Sequence, residues 1–194
     1  MLFRSDSRLL PITQAFSDVP VTELSLNTPV PIRYRDGSAC GLVVEAFPVP
    51  AGPPRFARRE EVGHTVGLTV REEASGKICT FVPGCGGLDA ALLERLAEAD
   101  ALLFDGTFWA DDELIALGVG NRTARELDHL PISGAGGSLE RLAALPCPNR
   151  VYTHINNTNP ILLEHSPERA TVARTGVTVG FDGLHLTLSR DPGR

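Results

Sequence analysis

The feature that most constrains this fold is a change of hydrophobic period near residue 83. Before it the chain reads in twos. "GLVVEAF" (41–47) is short, apolar and β-branched, and "TVGLTVR" sets Val66, Leu68 and Val70 on one side and Thr65, Gly67 and Thr69 on the other. Such alternation marks a half-buried strand. "EASGK" (73–77) carries turn chemistry and "ICTFV" (78–82) returns, so 65–82 is predicted to be a hairpin. After residue 83 the spacing turns helical, with Leu88, Leu92, Leu93 and Leu96 forming one apolar stripe.

Strands and helices then alternate. "ALLFD" (101–105) is a continuous apolar strand that ends on a carboxylate, and "DDELIAL" is a short helix. In "SLERLAAL" Ser138 reads as an N-cap, with Leu139 and Leu142 facing inward. "VYT" (151–153) is a strand, and "SPERATVARTG" (166–176) is a helix with Ser as cap, Pro at the first position and Gly as stop. "VTVGFDGLHLTL" reads as a closing hairpin around Asp182-Gly183. The layout is one layered α+β or α/β domain. Residues 1–40, dotted with proline, read as an irregular lead-in to a domain over 41–190. The loop "PVPAGPPRFARREEVG" (48–63) is of a length usually reserved for function or mobility.

Composition closes off several function classes. At 194 residues, 42% apolar and 22% charged, the chain supports one sizeable core. Its net charge is −6 and no basic block is interleaved with aromatics, which argues against a nucleic-acid partner. No apolar run approaches the roughly 18 residues of a membrane span. "MLFRSDSRLLPITQ" is a poor secretory signal. Cys40, Cys79, Cys85 and Cys147 lie far apart with no C-x-x-C pair, so reduced thiols in the cytoplasm are expected, Cys79 and Cys147 as core fillers.

The candidate chemistry sits where strands end. His64 precedes a strand, Asp105 closes "ALLFD", His129 lies before a Pro-Ile-Ser-Gly turn, and His154 closes "VYTH". Rigid scaffolds assemble sites at such positions, and imidazole with carboxylate is a ligand set for zinc, iron or manganese. None of the four is in H-x-H or H-x-x-x-H spacing, so each histidine taken singly reads first as a hydrogen-bonded structural residue and second as a ligand. Asp105 has two readings. It caps a turn through the amides of Gly106 and Thr107, or it serves a pocket walled by "GTFW". "PGCGG" (83–87) and "SGAGGS" (133–138) read first as turns and second as anion nests, since neither has the order of a phosphate loop. His165 and His185 read as surface residues.

The segments "GHTVGL", "PGCGGLDA", "DALLFDGTFWADDELIALGVGNRT", "HLPISGAGGSL", "YTHINNTNPIL", "SPERA" and "GVTVGFDGL" occur in an order that resembles the pyrroloquinoline quinone (PQQ) biosynthesis protein B family, a branch of the metallo-β-lactamase superfamily. The resemblance runs from about residue 40 to 188. It implies an αββα sandwich with a metal at one edge of two facing sheets. That family's first aspartate-histidine motif and its cysteine cluster for structural zinc are not in this sequence, so the N-terminal part of the sandwich is expected to be missing.

By the same resemblance His154 and His64 are the metal ligands. Pro83, Gly84 and Cys85 stand where a bridging carboxylate is expected, which implies a mononuclear site, with iron as the metal and zinc as the alternative. Asp105 and His129 are the catalytic pocket residues, and Asn156, Asn157 and Thr107 hold substrate or orient a ligand. The implied activity is metal-dependent hydroxylation of the tyrosine in a Glu-Tyr-derived PQQ precursor. A small peptide-derived precursor is the expected partner, with a homodimer as the expected assembly. The alternative is a non-catalytic carrier or transport protein for PQQ or its precursor.

Overall fold

A computed structural model of the chain describes residues 14–16, 22–53 and 62–188. Seven strands form one sheet in sequence order: β1 (Val30–Arg33), β2 (Ala39–Pro48), β3 (Val66–Glu72), β4 (Ile78–Val82), β5 (Ala101–Asp105), β6 (Asn149–Thr153) and β7 (Thr178–Val179). The first four are antiparallel neighbours, whereas β4 to β7 run parallel. The change of period seen in the sequence is therefore the switch from tight hairpins to helical crossovers, which parallel strands require. Helices α1 (Ala90–Ala97), α2 (Glu113–Ala116), α3 (Ser138–Ala143) and α4 (Pro167–Arg174) occupy the connections, with 3₁₀ turns at Arg125–Leu127 and Pro160–Leu162. The α+β class agrees with the expectation. Among the described residues the strands make one seven-stranded sheet.

One face of the sheet carries the main core. Phe47, Val82, Leu102, Phe104 and Tyr152 pack against Leu92 and Leu96 of α1, Leu139 and Leu142 of α3 and Val172 of α4. Gly67 lies on this helix-covered face because Phe47 sits above it: a Cβ there would fall 2.2 Å from the Phe47 ring. The opposite face carries Val44, Leu68, Val70 and Leu103, half-buried, with Phe81 more exposed. The alternation in 65–70 is thus real, but its polar side is the one turned to the helices.

Several local readings hold. The 65–82 hairpin is β3 and β4. Ser166 caps α4 by accepting from the Arg169 amide, and Gly176 ends it at φ +74°. Others do not. The sheet begins inside the supposed lead-in, because β1 pairs with β2 and Leu26 bridges Ala46. The N-cap of α3 is Gly137, since the Ser138 hydroxyl is buried against the Tyr152 hydroxyl at 2.9 Å. The closing hairpin is reduced to a turn, Leu184 N–H to Phe181 O, with no strand over the described residues 184–188. The central part of the 48–63 loop, residues 54–61, lies outside the described residues. No helix among the described residues is long and apolar enough to cross a membrane.

Candidate metal centre

The parallel register Val82↔Phe104 and Asp105↔Thr153 brings the carboxyl ends of β4, β5 and β6 to one rim of the sheet. Parallel sheets build their sites at that rim, because the loops leave from it together. Asp105, the last residue of β5, is completely buried. Its Oδ2 accepts from the Cys85 amide at 3.0 Å, and its Oδ1 accepts from the Thr107 amide at 3.1 Å and the Thr107 hydroxyl at 2.5 Å. The Gly106 amide is used elsewhere, donating to Thr153 O at 2.8 Å. Glycine is required there because a Cβ would meet Tyr152 Cβ at 2.8 Å. The first sequence reading of Asp105 holds in part: it caps a turn, through Thr107 alone, and the same carboxylate faces two histidines.

His129 reaches the rim from the connection between β5 and β6. Its amide bonds to Ala124 O at 3.0 Å, the next amide, of Leu130, bonds to Cys85 O, and the Phe108 ring stands edge-on to the imidazole at 5.9 Å. Its Nδ1 lies 2.6 Å from Asp105 Oδ2. His154 is the first residue beyond β6 and takes a left-handed backbone, φ +53°. That region is sparsely used by non-glycine residues and collects at functional sites. The two imidazoles stack, with centroids 5.5 Å apart and planes inclined by 21°. The His154 side chain is 53% exposed against 19% for His129, so the cluster opens to solvent on the His154 side.

Proton bookkeeping orders the cluster. Thr107 Oγ1 lies 2.5 Å from Asp105 Oδ1, 2.9 Å from His154 Nδ1 and 3.1 Å from His129 Nδ1. A hydroxyl has one hydrogen and two lone pairs. Given to the carboxylate, the stronger acceptor, that hydrogen leaves Oγ1 to accept from the His154 Nδ1–H at 2.9 Å, while the single His129 Nδ1–H goes to Asp105 Oδ2 at 2.6 Å and is only shared with Oγ1 at 3.1 Å. Burial pushes the Asp105 carboxyl upward, but the hydrogen bonds from His129 and Thr107 and the attraction of the His154 ring outweigh it and hold the group below its ordinary value. The nearby Asp105 carboxylate, 3.8 Å from Nδ1, raises His154 against the opposing effect of burial. At that distance the contact is charge attraction, with the Thr107 hydroxyl carrying the hydrogen bonds between them.

Asp105, His129 and His154 each offer one donor atom, and the three lie within 4.8 Å of one another. Opposed ligands of an ion bound at about 2.1 Å stand about 4.2 Å apart, so small side-chain movements close this set on a cation. Two imidazoles and a carboxylate suit zinc, iron or manganese. Cation binding would displace the protons now held between the rings and Asp105. The residues therefore fit a metal.

The structure sorts the sequence-expected residues. It groups His154 with Asp105 and His129, and His64 lies outside that group. Residues 83–85 supply no carboxylate; the one in the cluster comes from Asp105, and the sequence argument for a single metal loses that support. Thr107 orients both rings. The Asn156 side-chain amide donates to Thr158 Oγ1 at 2.5 Å, and Asn157 is exposed. Sequence reasoning missed Asn159, which is buried and donates to Gly106 O at 2.9 Å and Thr107 O at 3.3 Å while accepting from the Ile161 amide. It missed Glu113 too, which accepts from Thr158 Oγ1 and the Trp109 amide. The Asn159-Pro160 pair was a readable capping signal; nothing in the sequence marked Glu113.

Residues 4–155 match the model of the β-lactamase superfamily domain. Coenzyme PQQ synthesis protein B of Methylobacterium radiotolerans is 42% identical over 175 residues, 88% of this chain and 58% of that protein. The protein of the same name from Pseudomonas syringae pv. syringae is 49% identical over 139 residues, 72% of this chain and 45% of its own. The crystal structure of Zn(2+)-bound PqqB from Methylobacterium extorquens superposes with a TM-score of 0.71 at 39% identity, covering 85% of this chain and 51% of that one. The chain spans about half the length of these relatives. It belongs to the β-lactamase superfamily, and the relatives it is similar to are coenzyme PQQ synthesis proteins B.

Proposed function

We propose that Asp105, His129 and His154 hold a metal ion, and that the chain acts in PQQ biosynthesis by hydroxylating the tyrosine of a Glu-Tyr-derived precursor. The observation that carries the reading is the convergence of two imidazoles and one buried carboxylate at the rim of the parallel strands. That donor set is the one used by non-haem iron oxygenases, which is the reason to propose iron. The names of the relatives, and the zinc in one of their structures, support the pathway and the presence of a metal. A bound iron would activate dioxygen toward the aromatic ring, one oxygen atom entering as the hydroxyl and the other leaving as water with two electrons and two protons from an external two-electron reductant.

The chain's own residues do the rest. Asp105 stays anionic and balances the cation's charge. Thr107 fixes both imidazoles, and the exposed edge at His154 admits substrate. The exposed amide of Asn157 stands three residues beyond His154 on the open side, where it would meet a polar precursor.

The test is metal analysis of the chain after loading with Fe(II) or Zn(II), beside His154→Ala. Uptake of about one equivalent by the parent, lost in the variant, is expected; equal uptake by both overturns the assignment. Precursor binding without turnover in the iron-loaded protein would instead favour a carrier.

A further inference from the structure

Glu113 opens α2 and is buried, 7% exposed, although it takes no part in the cluster. Among the described residues no cation pairs with it; its carboxylate is held by one amide and one hydroxyl. Burying a carboxylate on neutral donors is costly, so the two partners are informative. Oε2 accepts from the Trp109 amide at 2.6 Å, four residues beyond Asp105 and on the same loop as Thr107. Oε1 accepts from Thr158 Oγ1 at 2.5 Å, four residues beyond His154. Thr158 in turn accepts from the Asn156 side chain, and the Asn156 amide donates to Thr107 O at 3.1 Å. One carboxylate thus ties the loop that follows Asp105 to the loop that follows His154, from behind.

We infer that Glu113 is a positioning residue for the metal centre, fixing the spacing between the Asp105–Thr107 segment and His154 by holding Trp109 and Thr158 on its two oxygens. The inference rests on the reading that Asp105, His129 and His154 hold a cation. A helix anchor would need only the Trp109 contact; the second oxygen spans 45 residues of sequence to the other ligand-bearing loop. Supports at this remove typically set metal affinity by about 10–100-fold, because they fix ligand orientation.

The experiment uses the full chain with Co(II), read by chelator competition and by the ligand-field absorption spectrum, in Glu113→Ala, Glu113→Gln, Thr158→Val and the Ala/Val double variant. Glu113→Ala is expected to weaken Co(II) about 10–100-fold and shift the spectrum with circular dichroism unchanged. Thr158→Val should do the same, and the double variant should be no weaker than the weaker single one. Glu113→Gln should restore most of the affinity, since its carbonyl can accept from Trp109 and its amide can donate to Thr158. Parent affinity and spectrum in Glu113→Ala overturn the inference. If that variant fails to fold, Thr158→Val carries the same test. If the parent takes up no Co(II), the metal reading falls, and hydrogen exchange decides the positioning claim. The Gly106 and Asn156 amides must exchange faster in Thr158→Val and Glu113→Ala, and unchanged protection overturns it.

Discussion

Asn159→Ala is the perturbation whose cost follows most directly from the structure. The side chain makes three hydrogen bonds from a buried position: Nδ2 to Gly106 O and Thr107 O, and Oδ1 from the Ile161 amide. Truncation does not orphan all three partners, because Thr107 O keeps the Asn156 amide. Gly106 O and the Ile161 amide each lose their Asn159 partner. At about 1–3 kcal/mol for each buried group left unpaired, the loss is roughly 2–6 kcal/mol, a large fraction of the roughly 5–15 kcal/mol of a typical domain. With a urea slope of about 2 kcal/mol/M, the midpoint should fall by roughly 1–3 M. Asn159→Asp should be worse, since it turns a carboxylate oxygen toward two carbonyls and buries a charge. Urea titration by circular dichroism and tryptophan fluorescence measures both. A loss below about 1 kcal/mol in the alanine variant, or an aspartate variant as stable as the parent, refutes the claim that this amide clamps the two loops.

Thr107→Val keeps nearly the same shape and removes the hydroxyl shared by Asp105, His129 and His154. Asp105 Oδ1 retains the Thr107 amide, so denaturation should show a loss of only about 1–2 kcal/mol. Zinc affinity by chelator competition should fall by about tenfold or more as the rings lose their orientation; unchanged affinity would remove Thr107 from the site. Burial pushes the Cys85 thiol up to about 12 from an ordinary 9.0, so alkylation at pH 8 should be slow until the chain unfolds, which mass spectrometry would show. The same shift destabilises the fold as pH rises from about 9 toward about 12, where only the unfolded thiol ionises; a midpoint flat across that range in a protein whose other cysteines are replaced would contradict it.

Much of the scaffold was legible because it follows from local pattern. The 65–82 hairpin, α1, β5 and the capped α4 all carry their own period and punctuation. His154 at a strand end was legible for the same reason. What failed depends on contacts between distant residues. Ser138 has the composition of a cap, but its hydroxyl is taken by Tyr152 from β6, while Gly137 packs so closely that a Cβ would lie 2.6 Å from Ile132 O. The strand β1 is short and proline-bearing, and exists through its pairing with β2. The joining of His129 to Asp105 crosses 24 residues and is fixed by the Leu130 amide reaching Cys85 O, a backbone bond that no side-chain pattern records.

The cluster also has an energetic signature that separates it from ordinary core. Asp105 is a fully buried carboxylate, and His154 is a non-glycine residue in the left-handed region. Each feature costs free energy, of order 1–3 kcal/mol for such backbone strain and more for an unpaired buried charge. A well-packed apolar rim would avoid both. The surrounding loops instead supply four donors to Asp105 and brace the His154 loop through Asn156 and Asn159, so the strain is maintained by neighbours that over-determine it. A cation that exploits the arrangement would gain a site whose ligands need little further ordering, and that is the physical reason to place function here rather than elsewhere on the sheet.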